Sequence, residues 1–196
     1  TTQPVGGNAT GSTLATQPVV KIYDAYNNLV ANATNSVTAS IATGDGQASV
    51  SAGATKAAVA GVAAFNGLTL VATPGVDYTL TFSATGLTDA TSNAISLTHA
   101  PASQISISTQ PLGGNATGND LTRQPVIRLL DQFGNLVTSD SSSTVTASIN
   151  SGANGSMQNA TATAVAGVLT YSHLQLVGTP GTNYTIKFTV SGLPVA

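Results

Sequence analysis

Apolar and polar side chains alternate along several short segments of the chain. Residues 78–83 (YTLTFS) and 184–190 (YTIKFTV) place apolar side chains at every second position, with threonine, serine or lysine between them. Residues 37–41 and 145–149, both VTASI, follow the same period. Successive side chains of a β-strand point to opposite faces, so each segment predicts a strand with one apolar and one polar face. No segment of the sequence shows a helical period.

The same alternation predicts further strands in both halves of the chain. We expect four apolar side chains to point inward, while Lys21 and Arg128 between them point outward; the four are Val20, Ile22, Ile127 and Leu129. Two shorter alternations predict a last strand of the first half and a first strand of the second half, at residues 95–97 and 105–107.

Turn-forming residues separate the predicted strands. Asn27-Asn28 and Gly134-Asn135 tolerate positive φ and suit tight hairpins. Pro74-Gly75 and Pro180-Gly181 suit type II turns, because proline fixes φ and glycine takes the left-handed position. Strands recur about every 8–12 residues, which is typical of a sandwich or a barrel.

The chain contains an internal repeat. QPVGGNATG at residues 3–11 returns as QPLGGNATG at residues 110–118. Further motifs follow in the same order in both halves: QPV, DAYNNLV against DQFGNLV, VTASI, AVAGV and TPG. One small insertion and one deletion fall in Ser- and Gly-rich stretches, where loops tolerate changes in length. We therefore predict two tandem, antiparallel β-sandwich domains, residues 1–100 and 101–196.

The ordered motifs resemble those of bacterial immunoglobulin-like (Ig-like) repeats in large surface and secreted proteins, including the invasin and intimin type. The resemblance rests on T-Q-P, Q-P-V, D-x-[YF]-x-N-x-V, [AV]-x-A-G-V, L-x-L, T-P-G-x-[DN]-Y-T and G-L. It covers nearly the whole chain, twice. It implies Ig-like sandwiches in tandem arrays outside the cell, with stalk or adhesin roles. It implies no ligand, because such repeats are mostly spacers.

Composition narrows the possible functions. Only 6% of the residues are charged and the net charge is −2, against roughly 25% charged residues in an average domain. No basic surface is available for a nucleic acid. The absence of cysteine excludes disulfides and thiolate metal sites. No signal peptide is visible, and no apolar run approaches the ~20 residues of a membrane span.

Residues capable of catalysis or metal binding are few. His99 and His173 have no counterpart in the other copy, so we expect no catalytic triad and no enzymatic activity. Asp24 and Asp131 recur, and we expect them to accept hydrogen bonds from local backbone N–H groups rather than to bind calcium. Interdomain calcium near Asp89, Asp120 and the joining segment is the alternative. We expect no resident metal or cofactor.

The residues also bear on three further kinds of site. An internal isopeptide bond needs a buried lysine, and we expect Lys21 and Lys187 to point outward. Tyr26 and Phe133 occupy matched positions beside a turn, where with Tyr23 they offer a sugar-binding face, although a shared packing role is favoured. Glycosylation sequons occur at six asparagines: Asn8, Asn32, Asn115, Asn154, Asn159 and Asn183.

The outer edges of the two copies lack segments that the other copy contains. The first copy has only TTQ where the second has SISTQ (residues 106–110). The second copy has no counterpart of residues 92–97. A cut chain explains both differences. The alternative is donor-strand assembly, in which one subunit supplies the missing strand of the next and builds a head-to-tail fibre.

The sequence therefore predicts an extracellular structural module. The two sandwiches are expected to stack end to end through residues 97–105, as a stalk of a surface adhesin or as a subunit of a fibre. Its partners would be neighbouring repeats or copies of itself. The alternative function is an adhesive module that binds a glycan or another surface.

Overall fold

The computed structural model describes residues 1–113, 116–191 and 193. Within these residues the protein consists of β-strands joined by turns and loops and contains no helix, so the predicted all-β fold is confirmed. In this part of the chain no helix is therefore long and apolar enough to cross a membrane. The chain divides into two compact units, Thr1–Ala100 (unit 1) and Pro101–Ala196 (unit 2). That each unit folds as an independent Ig-like domain stays a prediction.

Unit 1 contains nine strands that pair in antiparallel fashion. One sheet has the order β4-β2-β7-β8, and β9 also pairs with β7. Two smaller pairs, β1-β5 and β3-β6, complete the unit. The strands are β1 (Val19–Lys21), β2 (Ser36–Thr43), β3 (Ser49–Ala52), β4 (Thr55–Ala57), β5 (Val62–Ala64), β6 (Thr69–Val71), β7 (Asp77–Ser83), β8 (Ala90–Thr91) and β9 (Ile95–Ser96).

Unit 2 repeats this pairing with two differences at its edges. Its sheets have the orders β10-β11-β15, β14-β12-β17 and β13-β16. The strands are β10 (Ala102–Thr109), β11 (Val126–Asp131), β12 (Thr144–Ser151), β13 (Ser156–Gln158), β14 (Thr161–Thr163), β15 (Val168–Thr170), β16 (Gln175–Val177) and β17 (Thr185–Val190).

The alternating pattern places the apolar side chains in the two cores, as predicted. On β7, Tyr78, Leu80 and Phe82 are buried, opposite β2 in antiparallel register. In unit 2 the buried side chains of β11 and β12 form a second core, while Arg128 is exposed. Each core contains one close aromatic pair, whose ring centroids lie 5.4 Å apart for Phe65–Phe82 and 5.8 Å apart for Tyr171–Phe188.

The predicted turns have the expected backbone geometry. Gly75 and Gly181 have φ of 78° and 82°, as the third position of a type II turn requires. The turn hydrogen bonds run from Val76 N to Thr73 O and from Thr182 N to Thr179 O. At the other predicted hairpins the residue with positive φ is Asn27 or Gly134.

The two units differ at the edges of their sheets. In unit 2, β10 pairs with β11 along most of its length, and this confirms the predicted first strand, although Ile107 is 37% exposed. In unit 1 the same edge of β1 carries only a bridge between Thr2 and Val19. Conversely, β7 has β8 and β9 on its outer side, whereas among the described residues β17 pairs only with β12.

Candidate functional site

The recurring aspartates organise their own turns, as predicted. Asp24 Oδ1 accepts hydrogen bonds from the backbone N–H groups of Tyr26 (2.9 Å) and Asn28 (2.8 Å). Asp131 Oδ1 accepts the equivalent bonds from Phe133 and Asn135, both at 2.9 Å. The bond from the Asn28 N–H is the largest of the causes that lower the pKa of Asp24. These carboxylates therefore fix the loop conformation.

The acidic residues do not gather into a metal site in the part of the chain that the structure describes. No group of three or more His, Cys, Asp or Glu side chains lies close enough to hold an ion there. Asp89 is exposed in unit 1. In unit 2, Asp120 accepts a hydrogen bond from Gln175 Nε2 (2.9 Å) and pairs with His173.

The pairing of His173 with Asp120 is not predictable from the sequence, because neither residue recurs as part of a pair in the other copy. His173 Nδ1 lies 2.7 Å from Asp120 Oδ2, and the side chains are 71% and 41% exposed. The hydrogen bond with His173 is the largest cause that lowers the pKa of Asp120. Among the described residues the His173 ring makes no hydrogen bond to a hydroxyl group. The Asp120–His173 pair is therefore not joined there by a serine or threonine nucleophile, as a catalytic triad would require. His99 is half-buried in unit 1.

The other predicted candidates lie on the surface or bind local groups. Lys21 and Lys187 are exposed and point outward. The side-chain amide of Asn8 donates from Nδ2 to the carbonyl oxygen of Thr13 at 2.8 Å, and its Oδ1 is buried. Attachment of a glycan to this nitrogen would break that contact. Of the other sequons, Asn115 lies outside the described residues, and the exposed ones are Asn32, Asn154, Asn159 and Asn183.

The exposed aromatic side chains correct one expectation. Tyr26 is 88% exposed and Phe133 is 39% exposed, so the shared packing role is wrong for Tyr26. Asp24 holds the loop through backbone N–H groups, so the loop conformation does not require the Tyr26 side chain to pack. Tyr23, at 43% exposure, lies on the same loop.

A groove with a volume of about 660 Å³ opens on unit 2. It lies beside the outer edge of β17, and its lining among the described residues carries no charged side chain. The lining includes Gly113, Thr117, Gly181, Asn183, Tyr184 and Ile186. Cavities of this size are typical of ligand sites in proteins.

A tyrosine forms one wall of the groove and has an equivalent in unit 1. The hydroxyl of Tyr184 accepts a hydrogen bond from Thr179 N (2.8 Å) and donates one to Ala153 O (3.0 Å). The hydroxyl of Tyr78 accepts from Thr73 N (3.1 Å) and donates to Asp45 Oδ1 (2.7 Å). Burial raises the pKa of Tyr78. The side chain of Tyr184 is only half-buried, because β17 has no second neighbour among the described residues.

A repeated glutamine contact was also missed from the sequence. In unit 1, Gln17 Oε1 accepts from Leu68 N (2.7 Å), and its Nε2 donates to the carbonyl oxygens of Leu14 and Leu68, both at 3.1 Å. In unit 2, Gln124 makes the same three bonds with Leu121 and Leu174. The Q-P-V motif recurs in both copies, and this recurrence could have pointed to the contact. Because the motif has the composition of a turn, no local pattern indicates that its glutamine side chain joins two distant segments.

Compared with models of known protein families and with curated proteins, the chain matches none.

Proposed function

We propose that the chain is an extracellular structural module built from two Ig-like repeats of a bacterial surface or secreted protein. It would serve as a stalk or spacer, or as a subunit of a fibre, with neighbouring repeats or further copies of itself as partners. The observation that carries this proposal is the repetition of the same internal hydrogen bonds in both units, at Gln17 and Gln124 and at Asp24 and Asp131.

The polar residues of the described chain support a structural role. Recurring side chains are used to fix turns and to join strands: Thr10 Oγ1 accepts from Ala72 N, and Thr117 Oγ1 accepts from Gly178 N, both at 2.9 Å. A module selected for catalysis would place such groups in a cleft, where they face a substrate. Here these groups form hydrogen bonds inside each unit, as expected for a repeat whose stability is largely intrinsic to each copy.

Mechanical unfolding of the full chain between two handles tests the proposal. A load-bearing module of two sandwiches is expected to give two discrete unfolding events, each releasing about 30 nm of chain at 3.3–3.6 Å per residue. Gradual extension without discrete events would contradict a stalk role, because the units would not carry force cooperatively.

The adhesive alternative rests on the exposed aromatic loop of unit 1. Tyr26 and Tyr23 offer the flat apolar surfaces on which sugar rings commonly stack. A glycan array probed with the full chain and with Tyr26→Ala distinguishes the two functions. Binding of a glycan that is lost in the variant would favour the adhesive module over the spacer.

A further inference from the structure

The groove on unit 2 occupies the position that a strand fills in unit 1. In unit 1 the backbone of residues 95–98 lies beside β7, where Ile95 pairs with Tyr78 and Ser96 pairs with Asp77. Ile95 and Leu97 are buried there, at 1% and 3% exposure. The residues of unit 2 that correspond to Asp77 and Tyr78 are Asn183 and Tyr184, and both line the groove.

Two of the backbone N–H groups that hold this strand in unit 1 have equivalents that make no hydrogen bond within the described part of unit 2. Gly75 N donates to Leu97 O at 3.0 Å, and Thr10 N donates to Thr98 O at 2.8 Å. The equivalent N–H groups, of Gly181 and Thr117, face no hydrogen-bond partner among residues 1–113, 116–191 and 193. Each is a donor aimed at the position where a strand carbonyl would lie, so the groove offers main-chain recognition of an extended peptide.

A glycine in the groove keeps space for that strand. At Gly6 in unit 1, a Cβ atom would collide with the carbonyl oxygen of Ser96, so the close approach of β9 requires glycine. At the equivalent Gly113 of unit 2, a Cβ atom would meet nothing within 4 Å, and φ is not positive. Nothing in the described part of unit 2 therefore requires glycine at this position, whereas an incoming backbone would.

We propose that the groove of unit 2 binds an unpaired, extended peptide segment with the pattern of residues 94–98 (AISLT). The segment adds to β17 as an antiparallel strand, with isoleucine opposite Tyr184 and the leucine carbonyl on Gly181 N–H. It is uncharged, as the described lining of the groove is. Strand binding at this groove does not depend on the stalk role proposed above.

The occupant is an unpaired segment rather than the β9 segment of a second copy. In a second copy, Ile95 and Leu97 are already buried in its own unit 1. Moving them into the groove of unit 2 would empty one strand position for each one filled, so exchange between copies brings no net gain in buried apolar area.

Titration of the isotope-labelled full chain with a synthetic peptide of residues 92–99 (SNAISLTH) tests the proposal. Saturable shifts of the Gly181 and Ile186 amide signals are expected. The same peptide with Ile95→Asp and Leu97→Asp is expected to bind at least ~10-fold more weakly, since it loses two buried apolar side chains.

A matched pair of variants localises the binding. Gly113→Val is expected to leave the Tm of unit 2 unchanged and to weaken peptide binding at least ~10-fold, because the added side chain occupies the path of the backbone. Gly6→Val, the same change in unit 1, is expected to lower the Tm of unit 1. Equal binding by the wild-type chain and Gly113→Val would overturn the placement of the strand.

Covalent attachment of the peptide to the C-terminus of the chain keeps the test decisive if the free peptide binds weakly. Ala196 corresponds to Ala90 in the repeat, so residues 91–99 are appended directly after Ala196. Linkage raises the local concentration to the millimolar range, and slower exchange of the Ile186 amide with a higher Tm of unit 2 is expected. Absence of both effects, or protection of Ile186 through dimerisation of the unmodified chain, would overturn the proposal.

Discussion

Gln17 and Gln124 show how single side chains define the repeated scaffold. Each makes three hydrogen bonds to two leucines that are distant in sequence from one another and buried in their core. An amide side chain is suited to this task because it carries both a donor and an acceptor. The two glutamines are therefore expected to contribute equally to the stability of their units.

Replacement of either glutamine by alanine tests this expectation. Gln17→Ala is expected to lower the free energy of unfolding of unit 1 by about 1–3 kcal/mol, because Leu68 N–H and the Leu14 carbonyl lose the glutamine as partner, while the Leu68 carbonyl keeps its bond from Leu14 N. Gln124→Ala is expected to do the same in unit 2. Urea unfolding followed by amide signals of each unit measures both changes.

The control is Thr13→Ala, at an exposed position of unit 1, where a change within about 0.5 kcal/mol is expected. A loss confined to one of the two glutamine variants would show that the contact is not equivalent in the two units.

Aspartate ionisation predicts how stability depends on pH. Hydrogen bonds in the folded chain lower the pKa of four carboxyl groups below the usual value of 3.8, namely Asp24, Asp45, Asp120 and Asp140. The leading causes at Asp45 and Asp140 are the side-chain hydrogen bonds from Thr73 and Ser143. As the pH falls through the pKa that these aspartates have in the unfolded chain, the unfolded chain binds protons before the folded chain does. The stability that the ionised aspartates contribute is therefore lost.

Thermal unfolding by circular dichroism is expected to give a constant Tm from about pH 7 to pH 5 and a falling Tm below about pH 4. Asp140→Asn is expected to make the fall of Tm with decreasing pH less steep, because the variant has one titrating carboxyl group fewer. A Tm that stays constant down to about pH 3 would contradict the sign of these pKa shifts.

The hairpin between β4 and β5 contains an alanine in a left-handed backbone conformation that alanine disfavours. Val59 and Val62 exchange two backbone hydrogen bonds, of 2.9 and 3.0 Å. The two central residues, Ala60 and Gly61, have φ of 51° and 76°, which is the pattern of a type I′ turn. Unit 2 repeats the turn with Ala166 at φ 48°. Alanine is strained in this conformation, whereas asparagine tolerates it.

Ala60→Asn is therefore expected to raise the free energy of unfolding of unit 1 by about 1 kcal/mol, and Ala166→Asn that of unit 2. Ala57→Asn, an exposed position within β4, is the matched control and is expected to be neutral or destabilising. Chemical unfolding measures all three. Destabilisation by asparagine at both turn positions would contradict the positive φ values.

Sequence patterns were sufficient for the strands and turns that depend on local residue order. Alternation identified β2, β7, β12 and β17, and the Pro-Gly pairs identified two type II turns. Contacts between distant segments were not predictable in this way. The Asp120–His173 pair joins residues that have no counterpart pair in the other copy, and Gln17 accepts a hydrogen bond from Leu68, which lies 51 positions away.

The groove illustrates the same limit. The motif order places Asn183 and Tyr184 opposite Asp77 and Tyr78, but it contains no information on which surface lies beside them. That surface depends on the register of β17 against β12 and on the position of Gly113, which only the three-dimensional structure provides. The positive φ of Ala60 was missed for a similar reason, since alanine carries no turn signal.

The repeat gives two versions of one scaffold, and among the described residues they differ mainly in which strand positions are filled. In unit 1, Leu80 N donates to Ser92 Oγ at 2.9 Å, and Ser92 N donates to Leu80 O at 2.8 Å. The backbone of Ile186, the equivalent residue in unit 2, faces no strand on this side among the described residues. Unit 1 therefore serves as an internal reference for unit 2.

Residue-resolved amide hydrogen exchange of the full chain tests this account most directly. The account predicts matching protection at equivalent positions of β2 and β12, strong protection of the Leu80 amide, and fast exchange of the Ile186 amide. Equal protection of Leu80 and Ile186, or a lack of protection throughout β12, would contradict it.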